Sequence, residues 1–197
     1  MTSSLSAVSE KAQLRREALA RRDALAAAER QEAAQAIAER GLPFALSRGA
    51  VVSGYSPIRS ELNPIPLMRR LADQGAILAL PRVVGRGQPL SMRIWAAGVP
   101  LARGVWGIPE PSAEAAEAEP DVLLIPLAAF DWRGGRIGYG AGYYDLTLRA
   151  LRAKKPIVAV GIAFAAQEIQ RVPATERDES LDLVLTERAV IDCRGAE

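Results

Sequence analysis

PDVLLIPLAAFDWRGGRIGYGAGYYDLTLRAL, the stretch from Pro120 to Leu151, decides how the chain is read. Val122 to Ile125 is an apolar run of the length of a buried strand. Gly134-Gly135 marks a turn, because glycine reaches backbone angles closed to other residues. Arg136-Ile137-Gly138-Tyr139-Gly140-Ala141-Gly142-Tyr143-Tyr144-Asp145 follows, with three glycines at alternate positions. Bare backbone of this kind can turn several N–H groups onto one anion. Tyr143 to Leu151 reads as a helix, whose positive N-terminal end adds to the same site. Arg136 is expected at the mouth of the loop, and Asp145 on the first helical turn can hold Mg²⁺. Strand, glycine loop, helix, arginine and aspartate together point to a nucleoside triphosphate. The loop lacks the Gly-Lys-Ser/Thr of a Walker motif and the GxGxxG spacing of a dinucleotide fingerprint. Glycine-rich turns also arise for steric reasons, so GxGxG alone does not decide the chemistry.

Outward from this stretch, strands and helices alternate. Met1 to Val8 is expected to be frayed, with a helix from Ser9, a candidate N-cap, to Leu25. Lys11 and Arg15 lie four residues apart, hence on one helix face; Arg16, Arg21 and Arg22 extend a basic, solvated surface. A second helix spans 27–40 and stops at Gly41 before Pro43. Ala50 to Tyr55 reads as a strand, followed by the turn 56–61 and a helix from Asn63-Pro64. Strands are expected within 77–80 and 90–95. Trp106 to Pro111 is either a rigid proline turn with tryptophan packed on the core or a segment offering a flat ring to a ligand. Ser112 to Glu119 is an acidic surface link. Pro156 to Phe164 is a buried strand, Gln167 to Gln170 a short helical piece, and Leu181 to Thr186 the last strong strand.

Composition excludes several chemistries. The 197 residues suit one domain, 1–197. A formal charge of 25 − 23 = +2 does not call for nucleic acid. One cysteine, Cys193, rules out an internal disulfide and suits a reducing compartment. No apolar run or hydrophobic leader points to a membrane or export, so a cytoplasmic monomer is expected. The chain has no histidine, which removes Ser-His and Cys-His catalysis and the common zinc ligand.

Phe130-Asp131 and Gly135 through Asp145 together resemble the signature of the 5-formyltetrahydrofolate cyclo-ligase family, also called 5,10-methenyltetrahydrofolate synthetase. The likeness extends from about Lys11 to Thr186. It implies that ATP is bound by Lys11 and Arg15, in a Lys-x-x-x-Arg of the first helix, and by Arg136, Ile137, Gly138, Tyr139, Gly140, Ala141, Gly142, Tyr143 and Tyr144. The spacing of Tyr55 and Glu61 matches the family's folate-binding glutamate. The implied folate pocket takes Ser56, Glu61 and Tyr139 to Tyr143. Asp145 and Asp178 are the implied Mg²⁺ ligands, and Arg136 and Tyr143 the catalytic pair. Arg177 stands where the family commonly has histidine, so no role is carried onto it.

The alternation argues for an α/β domain, a mostly parallel sheet with helices on both faces; the resemblance implies a Rossmann-like three-layer form. Ligands of such sheets sit beyond the carboxyl ends of the strands. The implied activity is ATP- and Mg²⁺-dependent closure of 5-formyltetrahydrofolate to 5,10-methenyltetrahydrofolate. Two other readings are a sugar-phosphate isomerase or CoA transferase, and a non-catalytic binding protein. The motif from Arg136 to Asp145 opposes the first, and the presence of both Asp145 and Asp178 opposes the second.

Overall fold

The computed structural model describes residues 2–195, with side chains from Ser9 onward. Helix α1 (Thr2–Asp23) begins seven residues earlier than its sequence suggests, so Ser9 lies inside it and caps nothing. Helix α2 (Ala27–Arg40) ends where Gly41 takes a positive φ. The chain continues through β1 (Val51–Ser53), α3 (Ile65–Asp73), β2 (Ile77–Arg82), β3 (Ser91–Ile94), β4 (Ala102–Arg103), β5 (Pro109–Glu110), β6 (Val122–Pro126), β7 (Ala129–Phe130), β8 (Arg136–Ile137), α4 (Tyr143–Arg152), β9 (Val158–Ile162), β10 (Leu183–Leu185) and β11 (Val190–Asp192). Seven of these strands form one sheet in the order β11-β10-β9-β6-β1-β2-β3. The five inner strands pair in parallel, and β3 and β11 close the edges antiparallel.

Strand β6 shows why helices must cover both faces. Val122 and Leu124 join the core beneath α2 and α3, with Ile37, Leu67, Met68 and Leu71. Leu123 and Ile125 point the other way, into the core beneath α4 with Leu148 and Leu151. A strand buried on both sides reads as an unbroken apolar run, and each large side chain buried there contributes about 1.5–3 kcal/mol.

The strand order changes direction between β1 and β6. From β1 the chain steps to β2 on one side; from β6 it steps to β9 on the other. Two loops therefore diverge at neighbouring carboxyl ends, which opens a crevice at such a switch point. After β6 the chain forms the β7–β8 hairpin, where only a turn at Gly134-Gly135 had been expected. Asp131 builds that turn. Its Oδ1 accepts from the N–H groups of Arg133 (3.0 Å) and Gly135 (2.9 Å), and its Oδ2 from Val172 (2.7 Å). Gly134 has φ +84, and a Cβ there would strike the Leu181 carbonyl. The hairpin packs Ala129 and Ile137 against Ala18 of α1. Asp131 is buried, so Asp131→Ala should strand three backbone donors at about 1–3 kcal/mol each before relaxation. Chemical denaturation should show a loss of at least about 2 kcal/mol; an unchanged midpoint would remove Asp131 as the anchor of the hairpin.

Candidate active site

Strand β8 delivers Arg136 to the glycine loop. The side chain is not at the mouth of that loop: it is 7% exposed. Its Nη2 donates to Asp145 Oδ1 at 2.5 Å, and its Nη1 donates to the Glu179 carbonyl. The Glu179 N–H donates to the same Asp145 oxygen at 3.0 Å. Burial lowers the guanidinium pKa, and the charges of Asp145 and then Asp178 offset this only in part. Arg136 therefore ties the start of the loop to the first turn of α4, and its charge is shared with a carboxylate.

Between these anchors the backbone is bare. Gly140 and Gly142 have φ +99 and +69, which other residues rarely adopt. Gly138 has no such angle, and a Cβ built there meets nothing within 4 Å. Nothing in the packing requires glycine at 138, and its absent side chain leaves backbone open to the crevice. The N-cap of α4 is Gly142, which supplies no side-chain hydrogen bond, so the helix-start N–H groups remain available to an anion. Ala141 is exposed in the same loop.

Helix α1 crosses over this loop. Arg15 Nε donates to the Gly138 carbonyl at 2.7 Å, and Lys11 Nζ donates to Asp178 Oδ2 at 2.5 Å. The two basic residues thus reach the loop region from more than a hundred positions away. The segment with Asp178 runs beside α4: Arg149 Nη2 donates to the Glu176 and Arg177 carbonyls, and Arg152 to the Glu179 carboxylate. Asp178 Oδ2 also accepts from the Thr175 N–H and hydroxyl. Burial raises the Asp178 carboxyl, but Lys11 and Thr175 together outweigh it and hold the pKa below its ordinary value.

Asp145 and Asp178 both act on Arg136, so they face one region of the molecule. Among the described residues, Asp145 Oδ2 and Asp178 Oδ1 have no hydrogen-bond partner. No group of three or more acidic, cysteine or histidine side chains converges among the described residues. Mg²⁺ takes only one or two carboxylates and keeps its waters, so this donor set fits it.

Glu61 closes the far side. Its Oε2 accepts from the Ile58 N–H at 2.9 Å. Burial raises its carboxyl pKa above the ordinary 4.5; the Tyr139 hydroxyl, the Ile58 N–H and the charge of Arg22 offset this only in part. Burial, then the Glu61 charge, also raises the hydroxyls of Tyr55, Tyr139 and Tyr144. Glu61 and the loop tyrosines therefore share one environment. Among the described residues, the Tyr144 hydroxyl is buried without a partner. Tyr143 is half-buried at the first residue of α4. Ser56 Oγ donates to the Pro109 carbonyl at 2.8 Å, joining this turn to the segment with Trp106. Trp106 is 74% exposed, which corrects the core-packed alternative; it and Arg59 carry positive φ, a strain that clusters near functional sites. Ile137 turns its side chain into the core and its carbonyl accepts from Ala128, so it has no side chain to offer a nucleotide.

The 5-formyltetrahydrofolate cyclo-ligase family model matches residues 7–187. The chain belongs to that family. It is 34% identical to the 5-formyltetrahydrofolate cyclo-ligase of Mycolicibacterium smegmatis, covering 93% of this chain and 97% of the relative. Identity to the Escherichia coli K12 cyclo-ligase is 30%, over 84% and 94%. The solved 5,10-methenyltetrahydrofolate synthetase of Aquifex aeolicus superposes with TM-score 0.77 at 30% identity, covering 95% of this chain and 94% of that one.

The cyclo-ligase site holds residues that motif reading did not supply. Asp131 stands in the signature, but its role as turn anchor was open to view only in Asp131-x-Arg133-Gly-Gly, the pattern of an aspartate bonding its own following backbone. Arg22 falls on the helix face of Lys11 and Arg15, at seven residues from Arg15; it is 3% exposed, not part of a solvated surface.

The Glu61 shift has a measurable sign. A carboxyl whose pKa rises on folding favours the fold most below its unfolded pKa and loses that contribution as pH climbs through the folded pKa. Glu61→Gln, which keeps the shape and an acceptor for Ile58, should therefore be more stable than the parent at pH 7 without ligand. The advantage should shrink as pH falls through the raised folded pKa and be gone below about 4.5. Denaturation across pH 3–8 checks this, and a Gln variant less stable at pH 7 would mean that Glu61 serves the fold.

Proposed function

We propose that the chain catalyses ATP-dependent closure of 5-formyltetrahydrofolate to 5,10-methenyltetrahydrofolate, releasing ADP and phosphate. The observation that carries the reading is the bare, open Gly138–Gly142 loop, bonded by Arg15 and flanked by Glu61. The formyl oxygen attacks the γ-phosphorus and ADP leaves. N10 then attacks the activated formyl carbon, loses its proton, and phosphate departs with the former formyl oxygen.

This chemistry suits a chain without histidine, because phosphoryl transfer rests on alignment and charge neutralisation. The loop N–H groups from Gly138 to Gly142 would cradle the phosphates. Lys11 and Arg15 would neutralise them at the expense of their present bonds to Asp178 and Gly138. Tyr139, Tyr143 and Ser56 would line the folate side, with Glu61 accepting from the pterin N–H groups. Asp145 and Asp178 would hold Mg²⁺, which supplies charge neutralisation on the triphosphate. Arg136 keeps Asp145 oriented and contributes its positive field from beneath the loop. We take the chain to act as a monomer in the cytoplasm, a compartment that the lone cysteine suits. No step calls for nucleic acid or membrane.

Purified protein with ATP, Mg²⁺ and 5-formyltetrahydrofolate should generate methenyltetrahydrofolate absorbance. Absence of turnover in folded protein would refute the assignment. Charge-assisted hydrogen bonds are worth about 1.5–3 kcal/mol, or roughly 10- to 150-fold at 1.4 kcal/mol per decade. Lys11→Ala and Arg15→Ala should each weaken ATP binding by that order while leaving folate binding nearly intact. Unchanged ATP affinity in both would return these side chains to a purely structural role.

A further inference from the structure

We infer that Arg22 is a positioning residue that clamps the glycine loop to the Glu61 turn and so fixes the spacing between the two substrate half-sites. One guanidinium reaches both. Nη1 donates to the Tyr139 hydroxyl at 2.7 Å, and Nε donates to Ser60 Oγ at 3.0 Å. Tyr139 stands between Gly138 and Gly140, and Ser60 immediately precedes Glu61. The Ser60 hydroxyl in turn donates to Asp23, whose Oδ1 lies 3.3 Å from Arg22 Nε. The same guanidinium carbon sits 6.0 Å from the centre of the Tyr139 ring.

A buried guanidinium is costly unless well paired. Arg22 is almost wholly buried, yet its ion-pair partner Asp23 is largely exposed, so pairing for stability accounts poorly for its place. Its planar fork does suit a bridge between two acceptors in different segments, which an ammonium would make less well. The turn it holds includes Arg59 at φ +54, a conformation that persists only when neighbours enforce it. The inference rests on the proposed function: the formyl oxygen held near Glu61 must meet a γ-phosphate held by the loop, and a 1 Å misplacement can cost about 100-fold in rate.

Steady-state kinetics on the full chain test the clamp. Arg22→Gln should lower kcat by about 10- to 100-fold, with the KM for ATP and for 5-formyltetrahydrofolate moving far less. Arg22→Lys should restore only a small part of kcat. Ser60→Ala and Tyr139→Phe, each removing one arm, should lower kcat alone but add little in the Arg22→Gln background. Unchanged kcat with only a lowered Tm, or fully additive losses, would overturn the clamp. Should Arg22→Gln fail to fold, Ser60→Ala decides: reduced kcat supports the clamp and parental kcat overturns it. A parent chain that fails to turn over 5-formyltetrahydrofolate refutes the proposed function instead, whereas an active parent with indifferent variants refutes the clamp alone.

Discussion

The part-buried pair between Arg136 and Asp145 is the contact on which the site depends. The two side chains are nine positions apart, and between them runs the whole glycine loop. Three glycines would otherwise give this segment large conformational freedom. The ion pair pins both ends, and the same arginine and aspartate engage the Glu179 carbonyl and N–H. The segment that carries Asp178 is thus held to the loop by two backbone bonds. Partial burial strengthens such contacts and makes the loss of either partner expensive. A rigid frame around a bare loop meets the need of phosphoryl transfer, where N–H groups must be in place before the substrate arrives.

Helix α1 supplies the lid of that frame. Lys11, Arg15 and Arg22 repeat at four and seven residues, so one face of the helix meets Asp178, the Gly138 carbonyl and Tyr139 in turn. The helix is also tied to the segment after β9, where Arg21 Nε donates to the Ala166 carbonyl at 2.7 Å. Among the described residues, apolar burial of α1 is slight, with Ala18 and the partly buried Leu14 in a small cluster beside the hairpin. Those residues are held mainly by polar bonds to the site the helix covers, and a ligand's phosphates can compete for the same cations.

Much of the fold was legible because its signals are local. The apolar run at β6, the Gly41 stop of α2 and the alternation of strands and helices each follow from side-chain period or backbone geometry. The antiparallel edge strand β11 and the short β7–β8 and β4–β5 hairpins were not, because two- and three-residue strands leave no period to read. Residue placement divided along the same line. The loop came from its own glycine spacing, whereas Glu61 and the basic pair on α1 came from the resemblance to the family's pattern. What Arg136 does with its charge did not, since its partners lie nine and forty-three positions away. Arg22 was misread for the complementary reason: a helix arginine looks solvated until the partner segments are known.

The central claim is that ATP phosphates lie on the bare loop while a reduced folate rests against Glu61. A crystal structure with a non-hydrolysable ATP analogue, Mg²⁺ and 5-formyltetrahydrofolate measures this directly. The account predicts the triphosphate against the N–H groups of Gly138 to Gly142, the metal on Asp145 and Asp178, and the pterin edge on Glu61. A nucleotide seated away from that loop, or a pterin out of reach of Glu61, would contradict it.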